Sequence, residues 1–162
     1  MSRVHLRFLL LEQGVGSAAF NFLLNGVIAF LLFRSVERVP LWGQQSIVGD
    51  TIGTCFFLPF FTALIVTPLV RKRVRAGSVE GLAWTRETHP PLGWLPSTTS
   101  KRGLVLGVGC ALIVGPLSIW LLSRLGVAEL AFWPFVGFKA SFAAALALVV
   151  TPIIALWAIA SR

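Results

Sequence analysis

The stretch GVGSAAFNFLLNGVIAFLLF, residues 14–33, runs for twenty residues without a charged side chain. As a helix it would be about 30 Å long, which is the thickness of the hydrocarbon core of a bilayer. Three further apolar stretches lie at about 47–70, 103–123 and 136–160. Only helices and closed barrels satisfy every backbone group in lipid, and these stretches lack the alternation of barrel strands. The sequence therefore predicts an all-α membrane protein with four transmembrane helices.

The composition agrees with this prediction. Hydrophobic residues make up 56% of the 162 residues and charged residues 12%, about half the usual share of a soluble domain. A soluble domain of this size could not bury so many apolar side chains, whereas lipid solvates them. The net charge of +8 would suit a nucleic-acid partner, but the basic residues border the apolar stretches. We therefore expect the lipid bilayer, and no nucleic acid, as a partner.

The positions of lysine and arginine predict the orientation. If the N-terminus lies inside, ten of the fourteen basic residues face the cytoplasm, namely Arg3, Arg7, Arg71, Lys72, Arg73, Arg75, Arg86, Lys101, Arg102 and Arg162. The other four are Arg34, Arg38, Arg124 and Lys139. Because cytoplasmic loops carry an excess of Lys and Arg, we expect both termini and the loop 71–102 in the cytoplasm. The expected location is the inner (plasma) membrane.

The basic cluster at the start of that loop has two interpretations. It consists of Arg71, Lys72, Arg73 and Arg75. Such a cluster attracts anionic lipid by about 1 kcal/mol per charge near the membrane surface. Alternatively, it only sets the topology. The sequence leaves both interpretations open.

An internal repeat is predicted by two similar segments, ALIVTPLV at 63–70 and ALVVTPII at 147–154. Their shared residues are Thr67, Pro68, Thr151 and Pro152. The simplest account is a duplicated two-helix hairpin, with halves at 1–75 and 101–162. Such parallel repeats are related by an axis along the membrane normal.

Glycines four residues apart occur in two of the predicted helices. They are Gly49 and Gly53 in the second and Gly103 and Gly107 in the third, and the 84-residue offset aligns Gly53 with Gly137. Small residues hold helices together in lipid because they allow close backbone contact. We expect these stripes to face the inside of the bundle. A stripe left unpacked would serve a homo-oligomer or a membrane-protein partner.

Two asparagines, Asn21 and Asn25, lie one helical turn apart within the first stretch. Amides in lipid need hydrogen-bond partners, and interhelical bonds of this kind contribute about 0.6–2 kcal/mol. The pair could join helices, or it could line a site for a polar solute. Both interpretations are kept.

A second group of polar candidates surrounds Asp50, near the outer end of the second stretch, with Thr54 one turn further on. Lys139 and Arg34 should lie at similar depth and are the candidate charge partners of Asp50. The alternative is a carboxylate that couples transport to a proton or cation.

No enzymatic, metal or cofactor motif is found. The histidines, His5 and His89, lie outside the four stretches. We expect no cofactor, no metal and no enzymatic activity, with a lipid-modifying enzyme as the least favoured reading. The leading hypothesis is a permease- or channel-like protein, and the alternative is an accessory or scaffolding subunit of a larger membrane complex.

Overall fold

A computed structural model describes residues 3–82, 96 and 98–160. Part of the predicted loop 71–102, namely residues 83–95 and 97, which include Arg86, lies outside the described residues. So do residues 1–2, residue 161 and the predicted cytoplasmic Arg162.

The first long helix begins at Arg3 and not at residue 14. It consists of α1 (Arg3–Arg7), a π-helical segment (Phe8–Val15) and α2 (Gly16–Phe33), which follow one another without a break. Glu12 interrupts the apolar pattern of the sequence, but its carboxylate accepts a hydrogen bond from Arg73 at 2.7 Å. Since a charged partner and a wider helical turn accommodate this position, the helix continues through it.

Three more long helices follow: α3 (Ile47–Arg75), α4 (Thr99–Arg124) and α5 (Phe132–Ala160). At about 1.5 Å per residue each exceeds the ~30 Å of a hydrocarbon core. Large apolar side chains cover their outer faces, and Leu112 and Ile113, for example, are about 70% exposed. Exposure of such a large apolar surface to water is unfavourable, whereas contact with lipid chains is not. Within the described residues, the predicted all-α architecture is confirmed, with four helices long and apolar enough to span a membrane. These four candidate spans indicate a multi-pass membrane protein.

A short antiparallel ribbon, which the sequence did not predict, joins the two interhelical connections at one end of the bundle. Strands β1 (Arg38–Pro40) and β2 (Glu129–Ala131) pair with Val39 opposite Leu130. Three residues per strand are too few to produce a recognisable alternating pattern. We call this end of the bundle the ribbon end. Close to it, Ser46 is the N-cap of α3, and its side-chain oxygen accepts a hydrogen bond from the backbone N–H of Gly49 at 3.2 Å.

The helices are arranged in the order α2, α5, α3, α4. The main contacts are those of α5 with α2, of α5 with α3 and of α3 with α4. Cys55 and Leu58 of α3 form the middle of the core together with Ala143 and Ala147 of α5. Helices α2 and α3 are consecutive in sequence, yet each packs mainly against another helix.

Helix α4 approaches the backbone of α3 at two glycines. A Cβ atom on Gly107 would lie 2.6 Å from the carbonyl oxygen of Phe56, and one on Gly103 would lie 3.0 Å from that of Phe60. Only glycine allows these approaches without a shift of the helices. The predicted inward stripe of α4 is therefore a packing surface against α3.

Candidate functional site

A groove of about 500 Å³ separates α2 from α3, and α5 contributes Lys139 to it. The polar residues that line it are Ser17, Asn21, Asn25, Asp50, Thr54, Thr62 and Lys139. Its larger apolar residues are Phe20, Leu24, Ile28, Phe57, Leu58, Phe61, Ile65 and Val66. The groove is lined by all four residues of the predicted polar site, namely Asn21, Asn25, Asp50 and Thr54. We refer to it as the α2–α3 groove.

The groove is long and opens sideways. Along α3 it extends from Asp50 to Val66, which corresponds to about 24 Å of helix. Phe57 and Phe61 are about half exposed (53% and 52%), and Phe20 opposite them is 64% exposed. Because these side chains lie on the apolar surface of the bundle, the opening faces the position of the lipid chains.

A buried ion pair lies at the ribbon end of the groove. The Lys139 ammonium donates to the Asp50 carboxylate, and the two side chains are only 5% and 9% exposed. Asp50 is in the first turn of α3, where the helix dipole also favours a negative charge. Desolvation of two charges is costly, and their mutual attraction offsets this cost only in good geometry. The pair thus joins α3 to α5 and leaves this part of the groove with no net charge.

Arg34, the other predicted charge partner of Asp50, does not take part. Its side chain is exposed at the end of α2 and is absent from the groove lining. Lys139 lies on the buried face of α5, which packs against α3, and it therefore reaches Asp50 from inside the bundle.

The two asparagines do not join helices. The Asn21 side-chain amide donates to the Ser17 backbone carbonyl at 3.0 Å, and that of Asn25 donates to the Asn21 carbonyl at 3.1 Å. Among the described residues, neither side chain forms a hydrogen bond with another helix. Both are buried and line the groove. Their donors are therefore satisfied within α2, whereas their polar side chains remain part of the groove wall.

Thr54 and the Thr-Pro signature take different positions. The Thr54 hydroxyl donates to the Asp50 backbone carbonyl at 2.8 Å. Thr151 is buried and shares a 2.8 Å hydrogen bond with Ser17, which ties α5 to α2. Thr67 is buried on α3, and neither it nor the two prolines, Pro68 and Pro152, lines the groove. The two threonines of the signature are thus buried between helices, whereas Pro68 is exposed.

Sequence reasoning missed most of the apolar wall. On α3 the ridge consists of Gly49, Gly53, Phe57, Phe61 and Ile65, which recur every four residues. Residues four apart lie on one face of a helix, so the spacing carried the signal. From the sequence alone, Gly49 and Gly53 are interpreted as a packing motif, and the row is not extended to Phe57, Phe61 and Ile65.

The α3 glycines differ in role from those of α4. A Cβ atom on Gly53 would meet no atom within 4 Å. The expected inward packing of this stripe does not occur, because α2 and α3 are not in close contact. Gly53 instead widens the groove beside the ion pair.

The basic cluster lies at the end of α3 opposite the ribbon end. Arg73 donates to Glu12 at 2.7 Å, and its guanidinium lies 5.7 Å from the centre of the Phe8 ring. Arg73 therefore connects α3 to the π-helical segment. The described residues contain no group of three or more His, Cys, Asp or Glu side chains placed to hold a metal ion.

Comparison of the chain with protein-family models, with curated proteins and with solved structures finds no match.

Proposed function

We propose that the protein is a permease-like membrane protein whose substrate site is the α2–α3 groove. The observation that supports this most strongly is the position of Asn21, Asn25 and the Asp50–Lys139 pair in one groove that is open to the side. Intramembrane ionisable residues are costly, and in membrane proteins they commonly mark substrate paths. A site between helices with a few convergent polar groups is also the usual form of a small-molecule site.

The groove favours a lateral, permease-like route over a central channel. The space between α3 and α5 is filled by apolar contacts such as those of Cys55 and Leu58 with Ala147. The polar residues lie instead on the side of the bundle, between α2 and α3. Substrate exchange would then require α2 and α3 to change their separation, which the sparse contact between them permits.

The test uses two leucine substitutions in proteoliposomes. Gly53→Leu places a side chain in the open space of the groove. Gly137→Leu is the matched control, at the position of α5 that the 84-residue offset aligns with Gly53. Neither added Cβ would meet an atom within 4 Å, and Gly137 does not line the groove. Both variants should therefore fold.

Movement across the bilayer is measured for two labelled probes, glycine and a single-chain zwitterionic amphiphile, lysophosphatidylethanolamine. At least one probe should move with the wild-type protein and with Gly137→Leu, and its movement should fall at least tenfold with Gly53→Leu. If neither probe moves, or if Gly53→Leu moves them as fast as the wild type, the transport proposal is wrong.

We further propose that the chain arose by duplication of a helical hairpin. Beyond the Thr-Pro signature, the packing supports it: α2 packs on α5 as α4 packs on α3. The two ribbon strands occupy corresponding connections and pair antiparallel, as a two-fold axis along the membrane normal requires.

We propose that the protein lies in the inner membrane with both termini in the cytoplasm. The orientation rests on the excess of Lys and Arg at the end of the bundle opposite the ribbon end. In this orientation Arg71, Lys72 and Arg75 face the leaflet that carries anionic lipid, which keeps such lipid as a proposed partner. A homo-oligomer or a membrane-protein partner also remains a proposal.

A further inference from the structure

The cross-section of the α2–α3 groove distinguishes between possible occupants. Its volume of about 500 Å³ spread over about 24 Å corresponds to a mean cross-section of about 20 Å². An α-helix, with a diameter of about 10–12 Å, has a cross-section of roughly 80–110 Å². An alkyl chain is about 4.5 Å wide, slightly more than the distance of about 3.5–4.0 Å at which non-bonded carbon atoms pack, and its cross-section is roughly 16 Å². One alkyl chain therefore fits inside the groove, whereas a partner helix could lie only across its opening.

The chemistry of the wall agrees with this size. Phe57, Phe61 and Ile65 on α3 lie across the groove from Phe20, Leu24 and Ile28 on α2. Asn21 and Asn25 also line the α2 wall, but their side-chain amides donate to carbonyls within α2. The strongly polar group, the Asp50–Lys139 pair, lies near the ribbon end of the groove, in the first turn of α3. An amphiphile in a bilayer has the same order, with a polar head at the boundary and a chain toward the midplane.

The charges at the ribbon end select the head group. Asp50 and Lys139 both line the groove, and as a pair they carry no net charge. A zwitterionic head can place its ammonium group toward the Asp50 carboxylate and its phosphate toward the Lys139 ammonium. A purely anionic head would compete with the Asp50 carboxylate for the Lys139 ammonium and would be repelled by that carboxylate.

We infer that the ligand of the α2–α3 groove is a zwitterionic amphiphile, with one alkyl chain between α2 and α3 and its head group at the Asp50–Lys139 pair. The inference rests on the proposed function, since it names the substrate class of the same site. The alkyl chain enters through the lateral opening beside Phe57 and Phe61, and the head group then lies toward the ribbon end of the groove.

Photolabelling of the wild-type protein in detergent tests the inference directly. The probe is lysophosphatidylethanolamine with a diazirine midway along its chain, and labelled peptides are identified by mass spectrometry. Label is expected in the segments that line the groove, 17–28 and 50–66. Gly53→Leu should reduce this label at least fivefold, whereas Gly137→Leu should leave it unchanged.

Two further measurements make the result decisive. A probe with the same chain and an anionic phosphoglycerol head should label at least fivefold less. An excess of unlabelled lysophosphatidylethanolamine should abolish the label in the wild type, and this competition replaces the Gly53→Leu comparison if that variant does not fold.

Equal label in wild type and folded Gly53→Leu, or label that unlabelled amphiphile does not displace, would overturn the inference. Dimer formation through a disulfide at Phe57→Cys, in a background lacking Cys55 and Cys110, would also overturn it by showing a second copy in the groove. Failure of the transport proposal is distinguishable. If glycine moves across the bilayer but the groove is not labelled, only the amphiphile inference is wrong. If the groove is labelled but neither probe moves, the amphiphile inference is supported and the transport proposal is wrong.

Discussion

Gly107 offers the sharpest test of the helix packing. In Gly107→Ala the new Cβ atom would lie 2.6 Å from the Phe56 carbonyl oxygen, while ordinary contacts begin at 3.4 Å. The oxygen belongs to the backbone of α3 and cannot rotate away as a flexible side chain would. Helices α3 and α4 must therefore separate locally by about 0.8 Å, the difference between these two distances.

Overpacking of this kind costs about 1–3 kcal/mol. For a chain of this size, 1 kcal/mol changes the melting temperature by about 2–4 °C, so we expect a decrease of roughly 2–12 °C. The assay is thermal unfolding of the detergent-purified protein, followed by circular dichroism. Gly103→Ala, where the corresponding distance is 3.0 Å, should have a smaller effect in the same direction.

Gly109→Ala is the matched control. It lies two residues further along α4, and a Cβ atom there would meet nothing within 4 Å. Since alanine restricts the unfolded chain more than glycine, Gly109→Ala should be neutral or stabilise the protein by about 0.4–1 kcal/mol. If Gly107→Ala and Gly109→Ala shift the melting temperature equally, α4 does not contact α3 through this face, and the reasoning is refuted.

Two further predictions concern the ion pair and the orientation. Asp50→Asn or Lys139→Gln alone should lower the free energy of unfolding by about 3–5 kcal/mol, because each leaves a buried charge without its partner. The double variant should lose less stability than either single variant. If the two losses simply add in the same unfolding assay, the two side chains are not coupled. A fluorescent protein fused after residue 162 should fluoresce in cells and an alkaline phosphatase fused there should be inactive, since both termini are proposed to be cytoplasmic; the reverse pattern would contradict the orientation.

The groove shows where sequence reasoning about the site succeeded and where it stopped. The spacing of Asn21 and Asn25 places them on one face of α2, and that of Asp50 and Thr54 places them on one face of α3. No local sequence pattern predicts that these two faces line one groove. That arrangement arises because α2 packs against α5 and has little contact with α3. From the sequence, a similar depth in the membrane makes Lys139 and Arg34 the candidate partners of Asp50. The structure shows that Lys139 is the partner, because this face of α5 is turned toward α3.

The same limit explains the glycines and asparagines. Gly53 and Gly107 occur in identical spacing patterns, yet one borders an open groove and the other touches the backbone of a neighbouring helix. The asparagines were given the alternatives of joining helices or lining a site. In the structure their side-chain amides donate to backbone carbonyls within α2. Polar residues of α3 line the same groove, but among the described residues none of them forms a hydrogen bond with Asn21 or Asn25.

The sequence by itself determined that this chain forms four long apolar helices suited to a membrane. Each helix satisfies its own backbone hydrogen bonds, so the length and apolarity of a local stretch are sufficient to predict it. Tertiary structure alone decided which helices are neighbours, which carboxylate meets which ammonium group, and where a groove remains. Contacts between helices in lipid depend on close fit between distant side chains, and no local pattern encodes that fit.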